Sequence, residues 1–335
     1  MPEPAAPALE ALGSPGRSGS PLLLGVDFPL GVPAAYAAKA GLRSFRALLA
    51  GLGSEGAFGG LGEIATTLGE VSLARPFYPA GRVPPGAARR ADHAAALGLP
   101  LAALWRTCDR VAGAEALFWT LGPRQVGKAA LAGWRELLLP LVASPPAASS
   151  PEGWLGEVSA STGSGPRRRG ERGDAHGNPA VGLWPFDGEL DELLATRHLV
   201  VAEAWPSMGR RLLPSAPGSP RWSKRTVEGR RAQGGRIHQL AHAVGACPSD
   251  AASAAIADGF AQGGEDGFDA FVGLLGMLEV LAHGEALPSL PARPEPAILD
   301  IEGWILGLPA EGLRRSGKGG GKESMGGGEE RRSQG

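Results

Sequence analysis

Only two cysteines, Cys108 and Cys247, occur in the 335 residues. Two thiols build neither a disulfide framework nor a zinc-ligand set, and such scarcity suits a reducing compartment. No apolar run reaches the roughly 18 residues that a membrane-spanning helix needs, so no membrane span is expected. Net charge is almost lacking as well. With a formal charge of -1 the chain has no global field to attract nucleic acid or an anionic membrane, and any polyanion must meet a local basic patch. The first 20 residues have neither the charged start nor the apolar stretch of a signal peptide, so the expected location is cytoplasmic. Nothing in the sequence sets an oligomeric state.

Glycine and proline are abundant instead. The 53 glycines and 30 prolines make up about a quarter of the chain, close to low-complexity composition. The hydrophobic fraction of 43% still supplies a core. These facts predict one folded core over residues 21–290, preceded by a disordered leader at 1–20. A disordered insertion is expected at about 143–180, around Arg167-Arg168-Arg169, and a disordered tail at 316–335.

Within the core, Pro21 to Asp27 reads as a buried strand ended by an acid, and Phe28 to Pro33 as a break. Helices are expected at 34–52, 99–115, 128–142, 189–195, 236–244, 249–262 and 266–283. His198 to Glu203 is the clearest strand, rich in β-branched residues and again ended by an acid. Residues 209–235 read as basic and irregular.

The acids draw attention by position. Asp27 and Glu203 each end a strand, and open α/β sheets build their sites just beyond the carboxyl ends of strands. Asp266 and Asp269 stand one helical turn apart at the start of the last helix, on one face. Converging carboxylates repel one another and stay ionised beside a cation such as Mg²⁺ or Mn²⁺. Asp27, Glu203 and Asp269 are the expected metal ligands, with Asp266 a fourth catalytic candidate. Equally, a strand-end acid serves as a turn or cap residue, and Asp266 with Asp269 suits a helix N-terminus.

Four segments carry a resemblance. Gly25-Val26-Asp27-Phe28-Pro29-Leu30-Gly31-Val32-Pro33 resembles the "aspartate, apolar, Pro-Leu-Gly, apolar, Pro" motif of the bacterial family called domain of unknown function 429. That family is predicted to contain RNase H-like nucleases. Glu203-Ala204-Trp205-Pro206 is similar to its "Glu, x, aromatic, Pro" motif, and Lys224 through Arg236 to its basic segment. Glu265 to Ala270 resembles its C-terminal "Asp, x, x, Asp-Ala" helix start. The resemblance covers about residues 21–284 and implies an α/β, RNase H-like mixed sheet flanked by helices, with acids gathered around divalent metal. The family's earlier strand, with its "Gly, x, Asp, Gly" motif, has no counterpart in the Pro, Ala and Gly leader.

Lys224, Arg225, Arg230 and Arg236 are the expected substrate-binding residues, placed to hold a phosphate backbone beside the acids; the alternative is a solvated loop. Trp222 stands beside them, either stacked on a base or packed. Gly122 to Lys128 matches the P-loop string but continues with Ala129 where a metal-binding hydroxyl belongs, and Pro123 lacks an N–H. His238 and His242 have zinc spacing without a third ligand and read as helix-surface or packing residues. The leading expectation is a metal-dependent, nuclease-like phosphodiesterase acting on nucleic acid. A non-catalytic RNase H-like scaffold and a P-loop nucleotide-binding enzyme are the alternatives.

Overall fold

A computed structural model of the chain describes residues 20–52, 59–81, 89–121, 126–143, 180–213, 222–282, 290–291 and 294–310. The expected leader, insertion and tail, and the residues Gly122 to Gln125 of the P-loop string, fall outside these residues apart from boundary positions.

Three strands form one sheet: β1 (Leu22–Val26), β2 (Val181–Leu183) and β3 (Leu199–Glu203). Their order is β1-β3-β2 and both pairings are parallel. The mixed sheet expected from the resemblance is therefore not seen among the described strands, which are all parallel. The local reason is the connection: β2 reaches β3 through a helix, and such a crossover returns the chain in the same direction. The central strand β3 is buried at every position, which accounts for its unbroken apolar sequence up to Glu203.

The helices are α1 (Ala34–Ala40), α2 (Phe45–Gly51), α3 (Arg90–Ala96), α4 (Thr107–Ala112), α5 (Val126–Ala132) and α6 (Leu139–Ala143). After β2 come α7 (Leu190–Thr196), α8 (Pro206–Arg211), α9 (Val227–Arg231), α10 (Gly234–Ala243), α11 (Asp250–Asp258) and α12 (Gly264–Ala282). The single helix expected at 34–52 is two, because Gly41 turns into the left-handed region at φ 71° and Ser44 caps a new helix through Ala47 N. The helix expected at 99–115 is also divided: Leu101–Leu104 is a 3₁₀ turn, and Trp105 and Arg106 are extended before α4. Residues 209–235 are more regular than expected, since they include the end of α8 and all of α9.

Side chains alternate across β3. Leu199 and Val201 face a cluster containing Phe45, Phe77 and Trp134, while Val200 and Ala202 face Trp184, Met277 and Trp304. Helices thus cover both faces of the sheet. Ile298, Trp304, Ile305, Leu306 and Leu308 belong to the second cluster and Ile301 to the first, so the core extends past the expected boundary at 290. A third cluster joins α10, α11 and α12 through Ile237, Ile256, Phe260 and Phe268.

Two glycines set the positions of the site elements. A Cβ on Gly209 would stand 2.1 Å from Val272 O, so α8 crosses α12 at a distance that only glycine permits. Gly31 has φ +118°, and a Cβ there would meet Glu302 O at 2.2 Å. Gly209→Ala should destabilise the fold by about 1–3 kcal/mol through overpacking. Gly235→Ala, in open space on α10, should stabilise by about 0.5–1 kcal/mol. Urea denaturation of both variants checks the pair, and equal effects would contradict this packing.

Candidate carboxylate and anion site

The parallel register places Val26 beside Glu203, so Asp27 begins the loop that leaves the sheet next to the end of β3. Glu203 is nearly inaccessible, at 6% exposure, and a buried carboxylate needs donors on its oxygens. It has them. Oε2 accepts from Leu30 N at 2.8 Å and Arg106 Nη1 at 2.6 Å, and Oε1 accepts from Arg106 Nη2 at 2.8 Å. Burial raises the Glu203 carboxyl above its ordinary range, and the Arg106 guanidinium pulls it back down.

Arg106 is itself fully buried and serves three partners beyond Glu203. It donates to Asp109 at 3.0 and 2.7 Å, to Leu30 O at 3.0 Å and to Glu302 O at 3.2 Å. The Glu302 carboxylate accepts from Ala34 N and Thr107 N, each at 2.9 Å. This network joins β3, the Pro29-Leu30 segment, α4 and the turn at Ile298–Glu302. Cys108 lies within it, where burial pushes the thiol up and leaves it un-ionised.

The other acids meet outside the network. Asp269, on the first turns of α12, pairs through Oδ2 with Lys224 Nζ, and Lys224 also pairs with Glu265 at 2.7 Å. Asp269 Oδ1 is buried and accepts no hydrogen bond. Asp27 has an exposed surface but dense protein behind it. That desolvation, then the charges of Asp269 and Glu203, push its carboxyl up to about 7, against the pull of Lys224 and Arg210. Asp27 and Asp269 therefore share one electrostatic neighbourhood. Glu203 stands close enough to influence it, with both of its oxygens already engaged.

Asp266 is different. The helix begins at Gly264, two residues before the expected cap, and Asp266 faces solvent on its first turn. Among the described residues, no group of three His, Cys, Asp or Glu side chains could hold a metal ion.

The basic residues divide in the same way. Lys224 is at the acids. Arg230 is 3% exposed and donates to Gly259 O and Lys224 O, which holds the loop together. Arg225 is exposed, with its charge near Glu265. Arg236 reaches Gln233, the N-cap residue of its own helix, at 3.5 Å. Beside Lys224 a cavity of about 230 Å³ opens, lined by Ser207, Arg210, Arg211, Trp222 and Lys224. His238 and His242 are exposed on α10.

No family model, curated protein or solved structure matches this chain. Among the described residues, no helix is long and apolar enough to cross a membrane.

Sequence reasoning passed over Arg106, Asp109 and Glu302, and the cavity residues Ser207, Arg210 and Arg211. One signal for a partner such as Arg106 is in the sequence: a carboxylate ending an otherwise apolar strand requires a buried cation from elsewhere. Pro206, a favoured first helical residue, marks the helix that carries Arg210 and Arg211.

Two outcomes follow. Arg106→Met leaves the Glu203 charge buried without its partner and should cost about 3–5 kcal/mol, measured by chemical denaturation. Asp27 acts with the opposite sign to a salt-bridged acid. The folded chain holds its proton up to about pH 7, whereas the unfolded chain releases it near 3.8. Stability from this group is thus full below the lower value and lost as pH rises through the upper one. Asp27→Asn should flatten that part of the melting-temperature profile; a profile unchanged from wild type would contradict the assignment.

Proposed function

We propose that the chain is a divalent-metal-dependent, nuclease-like phosphodiesterase acting on nucleic acid, on an RNase H-like scaffold. The observation that carries the reading is the shared neighbourhood of Asp27 and Asp269, with Asp269 Oδ1 buried and lacking a donor. The charges of Lys224 and Arg210 do not fully offset the desolvation and mutual repulsion of two carboxylates in that position. A proton on Asp27 makes up the difference in the free protein, and a divalent cation would do so more strongly.

The residues present fit such an ion. Mg²⁺ is commonly held by one or two carboxylates and completed by water and substrate phosphate, so a third protein carboxylate is not required. Asp27 and Asp269 would hold it. The ion's chemistry would be to activate water and stabilise the leaving oxygen of a phosphodiester. Glu203 acts at one remove: its bond to Leu30 N fixes the segment that follows Asp27. Lys224 neutralises Asp269 and keeps the acids from repelling an incoming phosphate.

A second reading, a non-catalytic scaffold that binds nucleic acid or another partner, is favoured by Lys224 itself, whose ammonium already pairs with Asp269 and Glu265. Titration calorimetry with Mn²⁺ separates the two. The nuclease reading predicts binding in the wild type and its loss in Asp27→Asn and Asp269→Asn. It also predicts Mn²⁺-dependent cleavage of a labelled single strand, reduced at least about 100-fold in either variant (about 2.7 kcal/mol of barrier). Folded wild type that takes up no Mn²⁺ would leave the scaffold reading. The P-loop alternative has no support in the described part of its string, where Gly127 packs 2.5 Å (as a Cβ) from Leu117 O.

A further inference from the structure

The cavity beside Lys224 has a composition that the acid site does not explain. Arg210 and Arg211 are neighbours at the end of α8 and both line it. Among the described residues neither makes an ion pair with a carboxylate. Arg210 donates to Ser207 Oγ, and its Nε is buried without a hydrogen-bond partner. Arg211 is exposed, and partial desolvation lowers its guanidinium below its ordinary range. The charges of Asp27 and Glu265 reach Arg210, but no carboxylate lines the cavity itself. Two guanidinium groups and a hydroxyl in that lining favour an anion, and arginine's planar fork suits phosphate oxygens.

Trp222 supplies the second half of the argument. Its indole meets Phe268 in an edge-to-face contact, with ring centroids 5.8 Å apart at 66°, which helps to hold the ring in place. The same residue lines the cavity. A held aromatic face beside clustered cations is the arrangement on which unpaired bases stack, at about 1–3 kcal/mol per base. The cavity, about 230 Å³, is smaller than the roughly 300–1,000 Å³ of pockets for drug-sized ligands, so it accepts a single nucleotide unit.

We infer that this cavity is a subsite for one unpaired nucleotide, with its phosphate on Arg210 and Arg211 and its base against Trp222. The subsite rests on the nucleic-acid reading above and deepens it, because a base stacked on an indole has left its duplex: the substrate is single-stranded. It also moves the main phosphate contacts from Arg225, Arg230 and Arg236 to α8.

The test is fluorescence anisotropy of a labelled single-stranded oligonucleotide with the full chain in EDTA, so that metal binding and cleavage play no part. Wild type should bind the single strand at least about 10-fold more tightly than a duplex of the same sequence. Trp222→Leu should weaken single-strand binding about 5- to 100-fold. Trp222→Phe, which keeps an aromatic face, should retain most of it and controls for folding. Arg211→Gln should weaken binding and lower the slope of log Kd against log salt by about 0.7, the value for one phosphate contact on a single strand. Trp222→Leu and Arg211→Gln variants that are folded and bind like wild type would overturn the subsite, as would equal affinity for duplex. Wild type that binds the single strand through this cavity yet shows no Mn²⁺-dependent cleavage would fail the nuclease reading alone.

Discussion

The ion pair between Arg106 and Glu203 is the constraint from which the arrangement of the site follows. Both groups are buried, and separating them would leave uncompensated charge where water cannot reach. The guanidinium is shared among Glu203, Asp109 and two backbone carbonyls from distant segments. Its position therefore fixes the end of β3, the segment after β1 and the turn ending at Glu302 relative to one another. Asp27 lies at the edge of that fixed frame, on the stretch between β1 and Leu30. Trp134 adds a second tie to the same stretch by donating to Pro29 O at 2.7 Å.

The frame also explains why the acids differ so much. Glu203 has a cation and one backbone donor on its oxygens and is committed to the fold. Among the described residues Asp27 has no such ion pair; desolvation first, and then two nearby carboxylates, push its carboxyl up to about 7. Asp269 is intermediate, with one oxygen on Lys224 and the other with no donor. Similar carboxylates at sheet ends and a helix start thus take on different roles through what lies within hydrogen-bond reach. The close crossing of α8 and α12 at Gly209 brings the acids of one helix near the arginines of the other, and so puts an anion cavity beside a carboxylate pair.

Much of this was legible in the sequence, for identifiable reasons. β1 and β3 announce themselves as short apolar runs that stop at an acid, and α12 by the spacing of Phe268, Val272 and Leu275. Strand-end logic and helix position pointed to Asp27, Glu203 and Asp269 converging as metal ligands; their charges do reach one another, but Glu203 is taken up by Arg106 and, among the described residues, the three form no metal-holding group. The all-parallel sheet was not, because direction depends on crossovers rather than on the composition of a strand. The divided helices at Gly41 and Trp105-Arg106 were hidden because apolar spacing continues across a local change of backbone. Arg106 was invisible for another reason: a buried cation far along the chain from its carboxylate leaves no periodic signal. The arginines of α8 were absorbed into a stretch that composition alone describes as basic.

Asp27 is a desolvated acid beside other carboxylates, and below about pH 7 its charged form is favoured only when a cation joins it. The most direct measurement is a carboxyl-carbon NMR titration of Asp27, without and with Mg²⁺. The account predicts a midpoint near 7 without the ion and a clear downward shift when Mg²⁺ is added. A midpoint in the ordinary aspartate range that does not move with Mg²⁺ would contradict it.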